Sequence, residues 1–404
     1  MTLKIFNDNS SINEHQVTKE LFVDKEYLNK VSSIASSKKE ENALNILKTY
    51  YSDAKSILFD SSNKSLIKEL QTLNIKDFYA PLDNKNIFND KDFSLLFFTS
   101  GSTGFPSGAL KTKENIESEV RAFTVLLKKY NIKKVIVTVP FIHFYGAVIG
   151  LFYPLLNNID IVLKEHFLPH DLLDIIDDNS LIVTTPLYIK ALNRMSTSKD
   201  LSKSLFVSST APLSVEDAKE FNSKFSTNIL QIFGSTETGG IAYKFNDETL
   251  WEPIKDVTVS TNVNEELKVE SPFISNIIFE KDFRQTNYQI QTFDYVEFIN
   301  NKFKLIGRSS QILKIAGKRY STIQIENILE AVEGIEKVVV FVSSNKNSLK
   351  DEILNITIES KREFLSKDIT KILQNELSNI KFTINLKIVD KIKTSIVGKK
   401  LAIQ

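Results

Sequence analysis

The sequence predicts an α/β fold: a large N-terminal domain of mixed sheets covered by helices, ending in a small barrel-like β subdomain, and then a small C-terminal α+β domain. Three observations carry this expectation. Between residues 95 and 233, apolar runs of strand length alternate with helical patterns, which argues for a largely parallel sheet covered by helices. Beyond Gly240 the texture changes to short strands. After Ser310, β and α segments alternate again over roughly ninety residues, enough for a small core of their own.

Taken in order, residues 1–90 read as a modest α/β region, with helical patterns around Glu40 to Tyr51 and Ser65 to Leu73 and a strand at Lys55–Asp60. Next comes Ser94-Leu95-Leu96-Phe97-Phe98-Thr99-Ser100-Gly101-Ser102-Thr103-Gly104-Phe105-Pro106-Ser107-Gly108. It is an apolar run able to form a buried strand that feeds a segment of hydroxyls and glycines. A polar helical pattern, Lys111 to Lys129, is expected to follow it. Further strands are predicted at Lys134–Val139, Asp160–Leu163, Leu181–Thr185, Leu205–Ser208 and Ile229–Phe233. Helices are predicted at Leu187–Met195 and Ser214–Phe225, where Ser214-Val215-Glu216-Asp217 supplies an N-cap and an acidic first turn. The short strands Glu266–Glu270, Tyr288–Thr292, Val296–Ile299 and Lys302–Ile306 read as antiparallel meanders or a small barrel. Past Gly307-Arg308-Ser309-Ser310-Gln311 come helical Ile323 to Val332, strands Val338–Val342 and Ile353–Ile358, helical Lys367 to Leu377, and strand Leu386–Val389. The boundary falls near Ser310, giving domains 1–309 and 310–404.

Composition narrows the function classes. The chain has 404 residues, 42% hydrophobic and 25% charged, ordinary values for a globular protein with a sizeable core. A net charge of +1 gives no reason to expect nucleic acid as a partner. Cysteine is absent, which removes disulfides, thiolate metal sites and a cysteine nucleophile, and suits a reducing, cytoplasmic location. The polar start, Met1 to Lys19, shows no signal peptide. One uncharged stretch, Val135 to Leu156, raises the question of membrane insertion. Pro140, His143, Gly146, Gly150 and Pro154 interrupt it, so a buried strand, loop and helix are expected there instead.

The glycine segment has the layout of a phosphate cradle. Glycines let the backbone approach an anion and turn its N–H groups inward, while Thr99, Ser100, Ser102 and Thr103 add hydroxyl donors beside Gly101 and Gly104. It is not a nucleotide P-loop, because Gly108 is followed by Ala109 and not by lysine. Nor is it G-x-G-x-x-G, since Gly101 and Gly104 stand three apart. From these residues alone, a purely structural glycine turn stays open.

Read whole, Thr-Ser-Gly-Ser-Thr-Gly-Phe-Pro-Ser-Gly resembles the signature of the AMP-forming adenylating superfamily of acyl-CoA synthetases, adenylation domains and luciferases. Other segments follow in the family's order. Pro140-Phe141-Ile142-His143-Phe144-Tyr145-Gly146 is similar to its Pro-Leu-x-His-x-x-Gly segment, and Ser208-Ser209-Thr210-Ala211-Pro212-Leu213 to its Ser-Gly-Gly-Ala-Pro-Leu. Phe233-Gly234-Ser235-Thr236-Glu237 is similar to Tyr-Gly-x-Thr-Glu, and Thr292-Phe293-Asp294 stands where the family has Thr-Gly-Asp. Gly307-Arg308 through Lys314, Gly317, Arg319 and Ile325-Glu326 follows the Gly-Arg to Glu-Ile-Glu run, and Gly398-Lys399 resembles the terminal Gly-Lys. The matches run from residue 95 to residue 399, about three quarters of the chain.

The resemblance implies an acid–thiol ligase using ATP, Mg2+ and CoA, with the small C-terminal domain mobile. Thr99, Ser100, Gly101, Ser102, Thr103 and Gly104 would hold the β- and γ-phosphates, Thr236 would reach the α-phosphate, and Glu237 would hold Mg2+. Phe233 and Gly234 would meet the adenine, while Asp294 and Arg308 would bind the ribose or phosphate. Lys399 would neutralise charge as the carboxylate meets the α-phosphate. His143, Phe144, Tyr145, Thr210, Gly239 and Gly240 would border the site of the acyl group and thiol, a carboxylic acid pocket with aromatic walls. The bland readings are a helix cap for Thr236 and Glu237, core roles for Phe233 and His143, a turn for Asp294 and a solvated tail for Lys399.

Three departures stand out. Ser107 occupies the place of the family's lysine, with Lys111 or Lys113 as replacement charges; Ser310 occupies the place of its hinge acid; and a short first subdomain suggests a trimmed N-terminal region. An acyl carrier protein carrying phosphopantetheine is the alternative acceptor to CoA, and a non-catalytic nucleotide-binding homologue is the alternative from another class.

Overall fold

Short runs rich in Val, Ile, Leu and Phe are apolar on both faces, as strands covered by helices on both sides must be. In the computed structural model they become the central parallel strands Lys134–Val137, Ser180–Thr184, Leu205–Ser208 and Asn228–Ser235. Residues 1–7, 11–36, 38–76, 79–82, 86–99, 107–308, 312–315, 318–344, 352–377 and 383–392 are described. They divide into two units: residues 1–248, 252–259 and 269–290, and residues 249–251, 260–268 and 291–404.

The first unit holds two large sheets. One has nine strands in the order Glu252–Pro253, Gly239–Phe245, Asn228–Ser235, Leu205–Ser208, Ser180–Thr184, Lys134–Val137, Asp160–Lys164, Thr2–Phe6 and Ile12–Gln16. The other runs Phe283–Gln285, Ile277–Phe279, Ser107–Lys111, Leu95–Thr99, Lys55–Leu58, Val31–Ile34 and Ala80–Pro81. Side chains of both sheets, among them Val137, Val183, Val207, Leu58 and Phe97, share one core with the helices Lys39–Tyr51 and Lys113–Leu127 and the helical stretch Phe144–Leu156. The opposite face of the nine-stranded sheet presents Ile136, Ile182 and Phe206 to the helices Pro169–Ile175, Pro186–Asn193 and Val215–Phe225. Ser214 caps the last of these, its hydroxyl accepting the Asp217 N–H. The mixed α/β expectation is met.

Val135 to Leu156 is a strand, a turn and a helix, as its breaks require, and among the described residues no helix is long and apolar enough to cross a membrane. Its helix widens to a π segment over Val148–Phe152. Gly150 lies there because a Cβ would stand 2.9 Å from the Val137 side chain.

Two expectations change. No helix starts at Lys111. Ser107–Lys111 is a strand paired antiparallel with Leu95–Thr99, and the helix begins at Lys113, capped by Thr112. The glycine segment therefore joins two strands of a hairpin and not a strand to a helix. Likewise Tyr288–Thr292 and Val296–Ile299 belong to one strand, Gln289–Ile299, whose register shifts between Tyr295 and Val296. The carboxylate of Asp294, between Phe293 and Tyr295, hides that continuity in the sequence.

In the second unit, Gln289–Ile299 pairs antiparallel with Lys302–Arg308 within a four-stranded sheet. The hairpin Ile312–Ile315 and Lys318–Ser321 precedes a three-stranded sheet of Lys337–Ser344, Glu352–Glu359 and Thr383–Val389. Helices Thr322–Glu330 and Ser366–Leu377 cover that sheet, with Ile325, Leu329, Ile369 and Leu373 packed on Val338, Leu354 and Ile356.

Candidate active site

Four neighbouring parallel strands of the nine-stranded sheet end on the same side, at Val137, Thr184, Ser208 and Ser235. The segments leaving them carry His143, Ser209-Thr210 and Thr236-Glu237 along one edge. Open α/β sheets bind ligands outside the carboxyl ends of their strands. Motifs distant in the sequence thus leave the same edge of one sheet.

The turn at Thr236 and Glu237 is a hairpin, not a helix cap. Gly234 opposes Gly240 and Ser235 opposes Gly239 across antiparallel strands. The Ser235 N–H donates to Thr238 Oγ1 at 3.0 Å, and the Thr238 N–H returns a bond to Ser235 Oγ at 3.2 Å. Glycine is required at position 234, where a Cβ would stand 2.2 Å from the Gly239 carbonyl oxygen. Gly239 has φ +73°, the left-handed region that favours glycine. Thr236 and Glu237 sit half-buried at the tip. The Glu237 carbonyl accepts two bonds, from Lys111 Nζ at 3.0 Å and from the Ser275 N–H at 3.0 Å.

Glu119 is the residue that sequence reasoning misses here, and Lys111, expected as a replacement charge for the glycine segment, turns to the interior instead. Lys111 is fully buried; its ammonium donates to the carbonyls of Glu237 and Phe273, the latter at 2.6 Å, and lies 4.5 Å from the centre of the Phe144 ring. Burial pulls it down to about 8, against the opposing pull of Glu119 and Glu237. Glu119, on the helix Lys113–Leu127, accepts the Gly240 N–H at 2.8 Å with Oε1, while its buried Oε2 has no hydrogen-bond partner among the described residues. Burial pushes its carboxyl up to about 7, partly offset by Lys111 and the Gly240 N–H. Lys113 turns outward to Asp53. Neither lysine's contacts among the described residues lead to the glycine segment.

His143 is partly buried at the start of the helical stretch, and burial holds its imidazole below the ordinary range, with Asp60 acting in the opposite sense. Phe144 is buried, meeting Phe97 edge to face at 5.3 Å. Tyr145 shares its hydroxyl proton between the carbonyls of Thr184 (3.1 Å) and Val207 (2.8 Å), bridging two strand ends. Gly239 and Gly240 are buried against Glu119, Phe273 and Ile254. Thr210 is exposed and holds φ +78°, an unusual conformation for a β-branched residue. Phe233 is half-buried, one residue before the register shift that admits the tight turn.

In the second unit, Asp294 is buried on its strand directly opposite Arg308, and its N–H donates to Thr292 Oγ1 at 3.1 Å. Thr99 ends its strand opposite Ser107. Ser100, Gly101, Ser102, Thr103, Gly104, Ser310 and Lys399 lie outside the described residues.

This fold is that of adenylate-forming enzymes. The chain belongs to the AMP-binding enzyme family, which matches it over residues 11–272. It is similar to a putative long chain fatty acid–CoA ligase VraA of Staphylococcus haemolyticus, 26% identical over 257 residues, a match covering 60% of this chain and 55% of that relative. The matched part is thus little more than half the length of that protein. Among solved structures, ATP-bound MatB from Rhodopseudomonas palustris superposes with a TM-score of 0.76 at 13% identity, over 98% of this chain and 93% of that one. The o-succinylbenzoate CoA synthetase MenE of Bacillus subtilis, in complex with an acyl-adenylate, gives 0.77 at 14% identity, over 92% and 87%. These two likenesses establish the shared fold.

Proposed function

We propose that the chain is an acid–thiol ligase that activates a carboxylic acid with ATP and passes the acyl group to CoA. The observation that carries this reading is the convergence of His143, Thr210, Thr236 and Glu237 on one carboxyl edge of the parallel sheet. In the first step a carboxylate oxygen attacks the α-phosphorus and the bond to pyrophosphate breaks. In the second a thiolate attacks the acyl carbon and AMP leaves. Such chemistry asks a protein for positioning and charge neutralisation more than for covalent help.

The residues suit those demands. Glu237 presents a half-buried carboxylate that accepts no hydrogen bond among the described residues, while its main chain is held. Mg2+ takes oxygen ligands and is commonly held by one or two carboxylates plus phosphate oxygens. Among the described residues no group of three or more His, Cys, Asp or Glu forms a metal site, so a Mg2+ here would be held by Glu237 together with phosphate. Bound there, it would supply neutralisation of phosphate charge. Thr236 would direct a hydroxyl at the α-phosphate, Thr99–Gly104 would hold the departing pyrophosphate, and Phe233, Gly234, Asp294 and Arg308 would bind the nucleoside. Lys399, from a mobile domain of residues 310–404, would meet the developing charge.

The test is pyrophosphate release over a panel of carboxylic acids, with and without CoA. Acid-dependent release and a CoA thioester are expected, with release reduced roughly 10²- to 10³-fold in Lys399→Ala. Release without thioester formation would redirect the second step to a carrier-protein thiol. No acid-dependent release, together with no loss in Lys399→Ala, would sink the enzyme reading.

A further inference from the structure

Lys111 has no place in the proposed chemistry, yet it is buried where an apolar side chain would cost less. Removing an ammonium from water carries a penalty of several kcal/mol even after relaxation. Here two carbonyls and a ring face meet that cost, and the acceptors are informative. One belongs to Glu237, 126 residues away in sequence, at 3.0 Å; the other is Phe273, 162 residues away, at 2.6 Å. Lys111 itself ends the strand Ser107–Lys111, which carries the chain away from the glycine segment. Its main-chain carbonyl accepts the Ser94 N–H at 2.8 Å, at the opposite end of the same hairpin.

We propose that Lys111 is a positioning residue for the Glu237 carboxylate, locking the turn that bears it to the strand leaving the glycine segment. The proposal rests on the functional reading above. With the Ser275 N–H on the same oxygen, both lone pairs of the Glu237 carbonyl are engaged, so the main chain beneath the carboxylate is fixed from the core side. Glu119, eight residues beyond Lys111 and on the helix that follows, holds the returning limb of the hairpin through the Gly240 N–H. The chain that leaves the glycine segment thus grips the Glu237 turn at its tip and on its returning strand. A carboxylate held in this way binds a cation without first being ordered, and loss of such supporting contacts typically lowers metal affinity about 10- to 100-fold.

The experiment compares wild type, Glu119→Gln, Lys111→Met/Glu119→Gln and Lys111→Gln/Glu119→Gln. The paired changes avoid leaving a lone buried carboxylate, and glutamine at position 119 keeps an acceptor for the Gly240 N–H. Two readouts are taken: the Mg2+ dependence of ATP binding by calorimetry, and the Mg2+ concentration giving half-maximal pyrophosphate release. Glu119→Gln should stay within about twofold of wild type. Lys111→Met/Glu119→Gln should need about 10- to 100-fold more Mg2+ in both readouts, with kcat at saturating Mg2+ little changed. Lys111→Gln/Glu119→Gln, which restores one donor, should recover part of the loss. An unchanged Mg2+ dependence in a folded Lys111→Met/Glu119→Gln protein overturns the proposal. So does failure of both double variants to fold while Glu119→Gln folds, which would make Lys111 a support of the fold alone. A wild type that binds ATP with Mg2+ but releases no pyrophosphate with any acid would fail the functional reading instead, and calorimetry would still decide the role of Lys111.

Discussion

The segments Ser209–Leu213 and Ser235–Thr238 leave neighbouring strands on the same side of one sheet, and they are held in opposite ways. The second is closed by what it lacks: with no Cβ at Gly234 or Gly239, two backbones approach and the interior donors Lys111 and Ser275 reach a carbonyl at its tip. The first is tied by Ser209 Oγ to the Ile232 carbonyl at 2.9 Å, and beyond that bond it holds an exposed threonine in a left-handed conformation. Strain of that kind persists where the surroundings over-determine the backbone, commonly at ligand sites. One turn is made rigid by fit, the other holds its shape at an energetic cost.

The contrast breaks most readily at Gly234. Gly234→Ala sets a methyl group against the Gly239 carbonyl oxygen, and a loss of about 3 kcal/mol or more is expected in chemical denaturation, with loss of activity. A variant as stable as wild type would mean that the hairpin closes differently. Next in size is Glu119→Gln. The folded-state carboxyl lies above its unfolded value of 4.5, so the folded chain binds more protons between pH 4.5 and about 7, and this contribution to stability is lost as pH rises through that window. Glu119→Gln should therefore match wild type near pH 4.5 and gain on it by about 1–3 kcal/mol at pH 7 and above. A stability difference that does not change with pH would place the carboxylate in a more polar setting.

Thr210→Gly relaxes the strained position on the other side of the comparison. Relief of about 1–3 kcal/mol, less the added freedom of glycine in the unfolded chain, should leave a net gain of about 1 kcal/mol in the same denaturation experiment. If ligand binding depends on the strained geometry, affinity for the acid should fall as stability rises. The smallest effect concerns a charge that comes from outside both turns. Lys111 is committed to the interior and Lys113 to Asp53, so Ser107→Lys should raise the adenylation rate about two- to fivefold, the worth of one exposed charge contact. An unchanged rate in a pre-steady-state assay would show that another group already serves the pyrophosphate.

Much of this architecture is legible in the residues. Leu205–Ser208 forms with the bounds its apolar run suggests, and Ser214 caps its helix because a hydroxyl three residues before Asp217 is a local signal. Signals that depend on distant partners are not legible. Ser107–Lys111 contains Gly108 and Ala109, weak strand formers, and is a strand because Leu95–Thr99 and Ile277–Phe279 pair with it on either side. Ile12–Gln16 is mostly exposed, so no alternation marks it. The site divides along the same line. Its edge residues fall in motifs of recognisable order, whereas Lys111 reads as a charge for the glycine segment until the fold brings the carbonyls of Glu237 and Phe273 to it.

The widened helical turn at Val148–Phe152 bears on how this site can change over time. A π turn holds one residue more than the α-helix around it, so deleting a residue there would leave a regular helix. Each residue of the wider turn advances its side chain by less than the roughly 100° of an α-helix, so the extra residue is absorbed locally and Phe144 and Tyr145 keep their direction relative to Tyr153–Leu156. The extra residue is thus taken up in the width of one turn, with the two ends of the helical stretch left in phase. Loss of one residue within Val148–Phe152 should therefore be borne better than loss of one from the α turns on either side, where it would turn Phe144 and Tyr145 by about 100°.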